Sequence, residues 1–251
     1  MRTDLVRNGF GAAAIARRGR KVRTSDCRKC FLLQSFRNAG LPATTIHALC
    51  EQMWLNRVHR RQILYADGNR ATHLYAIRSG KVKLVRPVAG GREHVTAVLE
   101  TGDLFGFEAI FDSAYTTGAV ALTDCELCLA SGAELSDVMS EVPRLATNVA
   151  RYLHHQLCRT RQHQACLGAS GASAKLASFF LHGLSSDGGD SERDLTVARD
   201  LTLSDLGSIL GLSPETVCRA RRDLTARGII ETLPSGVRVR DVQSLQRVAA
   251  H

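Results

Sequence analysis

The sequence predicts an α+β protein in which a domain of short antiparallel strands is followed by a long helix and then by a helical hairpin with two further strands. Three observations support this order. Short apolar segments alternate with glycines from about Thr44 to Ala130, as in sandwiches and barrels. An apolar stripe at helical spacing follows. Two short helical patterns joined by a tight turn then occupy Leu203–Arg222.

The strand region is marked by four apolar segments of strand length. They are Leu74–Ile77, Val82–Val85, Val95–Leu99 and Ala119–Leu122. Glycines separate them at positions 68, 80, 90, 91, 102, 106 and 118. Because glycine readily adopts turn conformations, this punctuation favours many short strands over a few long elements.

A heptad-like stripe marks the helical region. Pro143 suits a helix start, which predicts a short helix near Glu134–Ser140 and a long one from Pro143 to about Cys166. The length of the stripe favours a seam between two copies of the helix over packing on its own domain, and so predicts a homodimer. The stripe consists of Leu135, Val138, Val142, Leu145, Val149, Tyr152 or Leu153, and Leu157.

The first helix of the hairpin begins near Ser204, whose hydroxyl is expected to cap it. Leu206, Ile209 and Leu210 form its apolar face. Gly211 is the expected stop, because glycine adopts the left-handed conformation that ends helices.

The second helix of the hairpin has an apolar face and a charged face. Ser213 is placed to cap it and Pro214 to begin it, while Val217 and Leu224 share the inner face. The outer face carries Glu215, Arg219 and Arg222. Arginine can donate to guanine O6 and N7, and glutamate can accept from cytosine N4. We therefore favour a helix that enters the DNA major groove over a solvated charged face.

Two strands are predicted after the hairpin, at Ile229–Leu233 and Val237–Arg240, with a turn at Pro234-Ser235-Gly236. Alternation places Arg238 and Arg240 on the outer face, where arginines suit phosphate contact. The arrangement predicts a winged helix-turn-helix.

The composition sets limits on function. The chain has 251 residues, a net charge of +9 and a pI of about 9.5, which fits a polyanionic partner. It lacks an apolar run long enough for a membrane span, a signal peptide, a phosphate loop and a nucleophile–base signature. We expect a cytoplasmic protein that is not an enzyme and has no membrane partner. Its basic N-terminus, residues 1–26, is expected to be a disordered leader.

The amino-acid sequence of several segments resembles that of the CRP/FNR family of bacterial transcription regulators. The resemblance lies in His73–Lys83, in Gly102–Ile110, which is closer to the FNR branch, and in Pro214–Arg219. It implies an N-terminal antiparallel β-roll of the jelly-roll or cyclic-nucleotide-binding type, a dimerisation helix and a winged helix-turn-helix. The corresponding domains are 27–132, 133–167 and 168–251. Double-stranded DNA and RNA polymerase are the implied partners.

The resemblance also implies roles on the reading helix. Glu215 and Arg219 are its base-reading pair and read the TGA part of a TTGAT-like half-site. Cys218 departs from the pattern, since FNR-like members usually have serine there and a thiol is a weaker hydrogen-bonding group. Preference at the outer base is therefore open. The further DNA-contacting residues that we expect are Ser213, Thr216, Arg222 and Arg238.

FNR-type oxygen sensors hold an iron–sulfur cluster on cysteines, and Cys27, Cys30 and Cys128 stand where three of its four ligands are expected. The expected fourth position is Phe36, and Cys50 is the candidate substitute. Cys125 is expected on the opposite strand face from Cys128. Three alternatives stay open: a cluster or metal site, a thiol–disulfide sensor at Cys27 and Cys30, or no sensing role.

Cyclic-nucleotide control is not expected. The nucleotide-binding members of the family use a glutamate and an Arg-Ser pair after the glycine turn. Glu108 could serve as the acid, but no arginine follows it before Cys128. A phosphate without a cationic partner is poorly held.

Overall fold

The structure, a computed structural model, describes residues 19–22, 31–88, 92–186, 196–198, 200–234 and 236–250. Cys27 and Cys30 lie outside these residues, as does most of the leader. The chain divides into two compact units, Met1–Tyr152 and Leu153–His251, and each is described by itself.

The first unit is built on two antiparallel sheets. It begins with strand β1 (Arg20–Lys21) and helices α1 (Phe31–Asn38) and α2 (Ala43–Gln52). Its other strands are β2 (Trp54–Val58), β3 (Ile63–Tyr65), β4 (His73–Ser79), β5 (Val82–Val88), β6 (Arg92–Leu99), β7 (Leu104–Phe105), β8 (Gly118–Ala121) and β9 (Cys125–Ser131). One sheet has the order β1-β2-β9-β4-β7 and the other β3-β8-β5-β6. The four predicted segments lie in or overlap β4, β5, β6 and β8.

The core of the first unit lies between the two sheets. Both sheets contribute fully buried side chains, among them Leu64, Tyr65, Tyr75, Val82, Ala119, Leu127 and Leu129. The outer face of β4 and β9 is also covered, because Leu32, Leu33 and Phe36 of α1 line a pocket against it. Burial on both faces explains why these two strands are almost continuously apolar.

Helices α3 (Glu108–Phe111), α4 (Gly132–Glu141) and α5 (Pro143–Leu167) follow the strands. The predicted short and long helices are confirmed within two residues at each end. Within α5, Leu145, Val149 and Tyr152 are buried in the first unit itself. Farther along the stripe, Leu157 is 47% exposed. The N-terminal half of the stripe therefore packs on its own domain, contrary to the expected seam between copies.

The second unit surrounds a small helical core. Its elements are α6 (Ala172–Ser186), β10 (Thr196–Val197), α7 (Leu203–Leu210), α8 (Pro214–Ala226), β11 (Ile230–Leu233), β12 (Gly236–Val239) and α9 (Val242–Ala249). The three strands have the order β10-β12-β11. The core consists of Leu176, Phe180, Leu210, Val217, Leu224 and Leu245, each 0% exposed. The fold class, an α+β chain with a β-roll, a long helix and a winged helix-turn-helix, is confirmed.

Two expectations for the first unit were wrong. The strand region was predicted from about Thr44, but Ala43–Gln52 is the helix α2, which buries Ile46 and Cys50. The leader was predicted to be disordered to residue 26, but Arg20 and Lys21 pair antiparallel with Leu55 and Trp54. The Lys21 ammonium also lies 4.1 Å from the centre of the Trp54 ring, a favourable cation–π distance.

Candidate nucleic-acid interface

Helix α7 begins with a reciprocal cap. The Thr202 hydroxyl accepts from the Asp205 amide at 3.0 Å, and the Asp205 carboxylate accepts from the Thr202 amide at 3.0 Å and from its hydroxyl at 2.7 Å. The predicted cap, Ser204, is instead the second residue of the helix. The Thr-x-x-Asp spacing was the signal that could have located the start, because it satisfies two free backbone N–H groups at once.

The turn between α7 and α8 depends on two glycines. Gly211 ends α7 with φ = 64°, the left-handed conformation predicted for it. At Gly207 a Cβ would lie 2.7 Å from the Leu212 carbonyl oxygen. The Leu212 amide donates to the Gly207 carbonyl at 2.8 Å. The turn therefore lies so close to α7 that a side chain at Gly207 would displace it.

Helix α8 begins as predicted. Ser213 caps it by accepting from the Thr216 amide at 3.2 Å, and Pro214 occupies the first turn, where its missing N–H costs nothing. Val217 and Leu224 are buried on the inner face, which fixes the rotation of the helix about its axis. The opposite face is consequently turned to solvent.

The outer face of α8 carries the predicted reading residues. Glu215, Arg219 and Arg222 are exposed. The Arg219 guanidinium donates to the Thr216 hydroxyl at 3.4 Å, which links it to the cap at Ser213. Thr216 and Cys218 are half-buried and flank this face on opposite edges, because residues two apart in a helix point about 200° away from each other.

The charge of Glu215 is favoured by its position. Its own backbone N–H and the Ser213 hydroxyl lower the pKa of the carboxyl below its ordinary value of 4.5, and the Arg219 charge adds to the shift. At neutral pH it is an ionised acceptor next to a multiple donor. Such a pair can hydrogen-bond to both members of a G·C pair in a major groove.

The wing strands β11 and β12 form the predicted hairpin. Val237 and Val239 are buried, and Arg238 and Arg240 are on the other face, as predicted. No sequence pattern pointed to Glu231, which lies directly opposite Arg238 in the register. Its Oε2 is 3.4 Å from Arg238 Nη1 and 2.5 Å from Arg240 Nη2. Both arginines are therefore in ion pairs.

The first unit brings two of the predicted cysteines to one pocket. Cys50 and Cys128 both line the apolar pocket beneath α1, together with Phe36, the residue at the expected fourth-ligand position. Within the described ranges, no group of three or more His, Cys, Asp or Glu side chains is arranged to hold a metal ion. Cys27 and Cys30, the other predicted ligands, lie outside those ranges.

Cys125 and Cys128 lie on opposite faces of strand β9, as their odd spacing predicted. Cys125 belongs to the core between the sheets, and its thiol donates to the Lys81 carbonyl at 3.3 Å. Burial raises the pKa of this thiol. Cys125 is thus a packing residue, while Cys128 lines the pocket on the other face.

Tightly packed side chains surround the glycine turn of the β-roll. Gly106 needs its positive φ of 82°, and a Cβ there would lie 2.9 Å from the His73 carbonyl. Tyr115 is buried and donates from its hydroxyl to the His73 carbonyl at 2.8 Å. Its ring stacks on Tyr65 with centroids 3.7 Å apart. Aromatic side chains therefore fill the space between the sheets at this point.

Among the described residues, no helix combines the length and apolar character that crossing a bilayer requires.

Comparison with known proteins connects the two units to one family. A cyclic nucleotide-binding domain model matches residues 55–142, and a Crp-like helix-turn-helix domain model matches residues 174–248. The chain belongs to the CRP/FNR family of transcription regulators. The predicted resemblance is thereby confirmed, and the protein is a CRP/FNR-type regulator with a DNA-binding helix-turn-helix domain.

Individual relatives of this CRP/FNR regulator support the assignment. It is 27% identical over 233 residues to the transcriptional regulatory protein btr of Bordetella pertussis, covering 89% of this chain and 93% of that protein. It is 32% identical over 165 residues to the fumarate and nitrate reduction regulatory protein of Vibrio cholerae, covering 64% and 65%. The structure of FixK2 from Bradyrhizobium japonicum shares the fold, with a TM-score of 0.70, 23% identity, and coverage of 78% and 97%.

Proposed function

We propose that this CRP/FNR regulator is a cytoplasmic homodimer that reads a palindromic TTGAT-like DNA site through α8. The observation that carries the proposal is the exposed Glu215–Arg219 pair on a helix whose rotation is fixed by buried Val217 and Leu224. In this role Arg219 donates to guanine, and Glu215 accepts from the paired cytosine. Promoter activity then follows through contact with RNA polymerase.

The neighbouring residues have supporting roles in this proposal. Ser213 and Thr216, near the positive end of the helix dipole, are placed for phosphate or base-edge contacts. Arg222 extends the basic face by one turn, and Cys218 faces the outer base of the half-site. Arg238 contacts phosphate from the wing.

The homodimer is proposed on the basis of α5 and of the DNA site. Reading a palindrome calls for two reading helices related by a two-fold axis. Helix α5 has 25 residues, and its Leu157 is 47% exposed. Burial of this leucine against a second copy would remove a large apolar side chain from water, which favours association.

We also propose that oxygen or redox state controls the protein through its N-terminal cysteines. Support comes from the pocket beneath α1, because it contains both Cys50 and Cys128 while the sequence places Cys30 two residues before Leu32, another lining residue. Cys27, Cys30, Cys50 and Cys128 are the four thiolates that would hold an iron–sulfur cluster, which would supply sensitivity to oxygen. The apolar lining would limit access of water to such a group.

Cyclic nucleotide is not part of the proposal. Glu108, the candidate for the family's ribose-binding carboxylate, accepts two hydrogen bonds from Thr116. Tyr115, which immediately precedes that threonine, is packed into the core instead of presenting a cation. These residues do not fit a ribose and a phosphate.

The proposal is tested by titrating the purified protein with a palindromic TTGAT-containing duplex and with a scrambled duplex of the same composition. We expect the palindrome to bind at least about 1000-fold more tightly at physiological salt, as specific regulators do. The complex is expected to contain two chains per duplex. Equal affinity for the two duplexes would refute sequence-specific reading.

A further inference from the structure

The outer face of the wing carries one carboxylate between two guanidinium groups. Glu231 Oε2 lies 3.4 Å from Arg238 Nη1 and 2.5 Å from Arg240 Nη2. A single oxygen thus accepts from both arginines. In geometry and charge this resembles what a DNA phosphate oxygen would offer them.

The hairpin register produces this arrangement. Glu231 of β11 pairs directly with Arg238 of β12, and Arg240 follows two residues later on the same face. The valines between and before the arginines are buried on the other face. All three charged side chains therefore lie on the exposed side, and they are 41%, 43% and 53% exposed in the order Glu231, Arg238, Arg240.

An exposed ion pair of this kind contributes little to folding, because water and salt screen it. Its main consequence is the net charge that the wing offers to a polyanion. Two arginines alone present two positive charges, whereas the three side chains together present only one.

We propose that Glu231 is an intramolecular competitor for the DNA phosphate backbone at the wing. A phosphate that reaches Arg238 or Arg240 has to displace the carboxylate from these two guanidinium groups. Glu231 thereby lowers the part of the affinity that does not depend on sequence. The inference rests on the proposed function, since it takes the wing to lie against DNA.

Such a competitor benefits a regulator that must leave non-specific DNA quickly. Most contacts on non-specific DNA are to phosphate, and each neutralised phosphate contributes to affinity whatever the sequence. Reducing this contribution leaves the base contacts of α8 unchanged. Glu231 would therefore set the absolute affinity, while Glu215 and Arg219 set the discrimination between sites.

The test compares wild type with Glu231→Gln, which removes the charge and keeps the shape. Binding to the palindrome and to the scrambled duplex is measured by fluorescence anisotropy over a series of salt concentrations. We expect the affinity of Glu231→Gln to rise by about fivefold on both duplexes near 0.1 M salt. The slope of log affinity against log salt should steepen by roughly 1 to 2.

Two further variants separate charge from structure. Glu231→Asp keeps the charge, so its affinity should stay near that of the wild type. In an Arg238→Ala, Arg240→Ala background, adding Glu231→Gln should have no effect, because the groups it competes for are gone. Glu51→Gln is the matched control. It makes the same substitution at an exposed glutamate of the first unit, whose side chain is 63% exposed.

The inference is overturned if Glu231→Gln leaves affinity unchanged or lowers it, or if its gain persists without the two arginines. An equal gain in Glu231→Asp also overturns it, since the charge would then be irrelevant. Failure of the proposed function looks different, because in that case the wild type itself would not distinguish the palindrome from the scrambled duplex.

Discussion

Thr116 donates two hydrogen bonds to a single carboxylate oxygen of Glu108, from its amide at 3.1 Å and from its hydroxyl at 2.6 Å. Glu108 is the carboxylate of this segment that we considered for a ribose contact. In this protein the hydrogen-bond donors to that carboxylate are the amide and hydroxyl of Thr116. A ligand would have to compete with both contacts and would still find no arginine in this segment for its phosphate.

The first prediction is that cyclic AMP does not bind the β-roll. A ligand at 100 times its Kd would stabilise the fold by about 2.7 kcal/mol, so binding would be visible as a rise in melting temperature. We expect no such rise when unfolding is followed through Trp54, the single tryptophan of the chain, which lies in β2. A saturable shift with nucleotide concentration would contradict this prediction.

The second prediction concerns Arg219. Replacement by alanine should cost about 1–3 kcal/mol on the palindrome, roughly five- to 150-fold in affinity, because a bidentate guanine contact is lost. The loss on a scrambled duplex should be much smaller. Arg247→Ala is the control, since Arg247 lies in α9 and donates to Ser244 at 2.8 Å. Equal losses for the two variants, measured by gel shift, would argue against base reading by Arg219.

The third prediction is a pH dependence set by Glu215. Because its pKa is depressed, the carboxylate stays ionised as pH falls, and its contribution is lost only below the ordinary value of 4.5. Discrimination between a G·C and an A·T pair at the contacted position should therefore be constant from about pH 8 to pH 5. Glu215→Gln should discriminate less over the whole range. Affinities for the two base pairs are measured by fluorescence anisotropy. Comparing the discrimination of the wild type with that of Glu215→Gln at each pH separates Glu215 from other titrating groups.

The fourth prediction concerns the cysteines. If an iron–sulfur cluster is held by the pocket beneath α1, then Cys50→Ala and Cys128→Ala should each lose most of the iron, sulfide and visible absorption of anaerobically purified protein. Cys158→Ala is the matched control, because Cys158 is a half-exposed residue of α5 within 3.6 Å of His154. A wild type that is colourless and iron-free yet competent for DNA would exclude the cluster. The remaining alternatives would then be a regulator controlled by thiol oxidation and a regulator that is active without a cofactor.

The sequence was most informative where local chemistry alone determines structure. Both ends of the turn before α8 were predicted because Gly211 and Ser213-Pro214 act through their own backbone and nearest neighbours. The inner face of α8 followed from helical spacing. In these places the interactions that determine the conformation are made among a few adjacent residues.

Elsewhere the decisive interactions are distant in sequence. Helix α2 was missed because its β-branched start, Thr44 to Ile46, resembles a strand, and no side chain caps it at Pro42. Burial of Ile46 and Cys50 outweighs that local preference. The contact of Glu231 with the wing arginines depends on the hairpin register, which adjacent residues alone do not determine. The meeting of Cys50 and Cys128 in one pocket likewise depends on packing α1 and α2 against the sheet.

The fifth prediction concerns the attachment of α5 to the β-roll. The buried Tyr152 hydroxyl accepts from the Leu104 amide at 2.6 Å and donates to the Leu104 carbonyl at 3.3 Å. Tyr152→Phe removes the hydroxyl that contacts both the amide and the carbonyl of Leu104 in the two-residue strand β7, and it puts no polar atom in its place. We expect it to destabilise the first unit by about 1–3 kcal/mol. Urea unfolding followed by Trp54 fluorescence measures this loss. Thr147→Val, which removes an exposed hydroxyl from the same helix, should change stability by no more than about 0.5 kcal/mol. If the two variants unfold at the same urea concentration, the Tyr152 hydroxyl does not anchor α5.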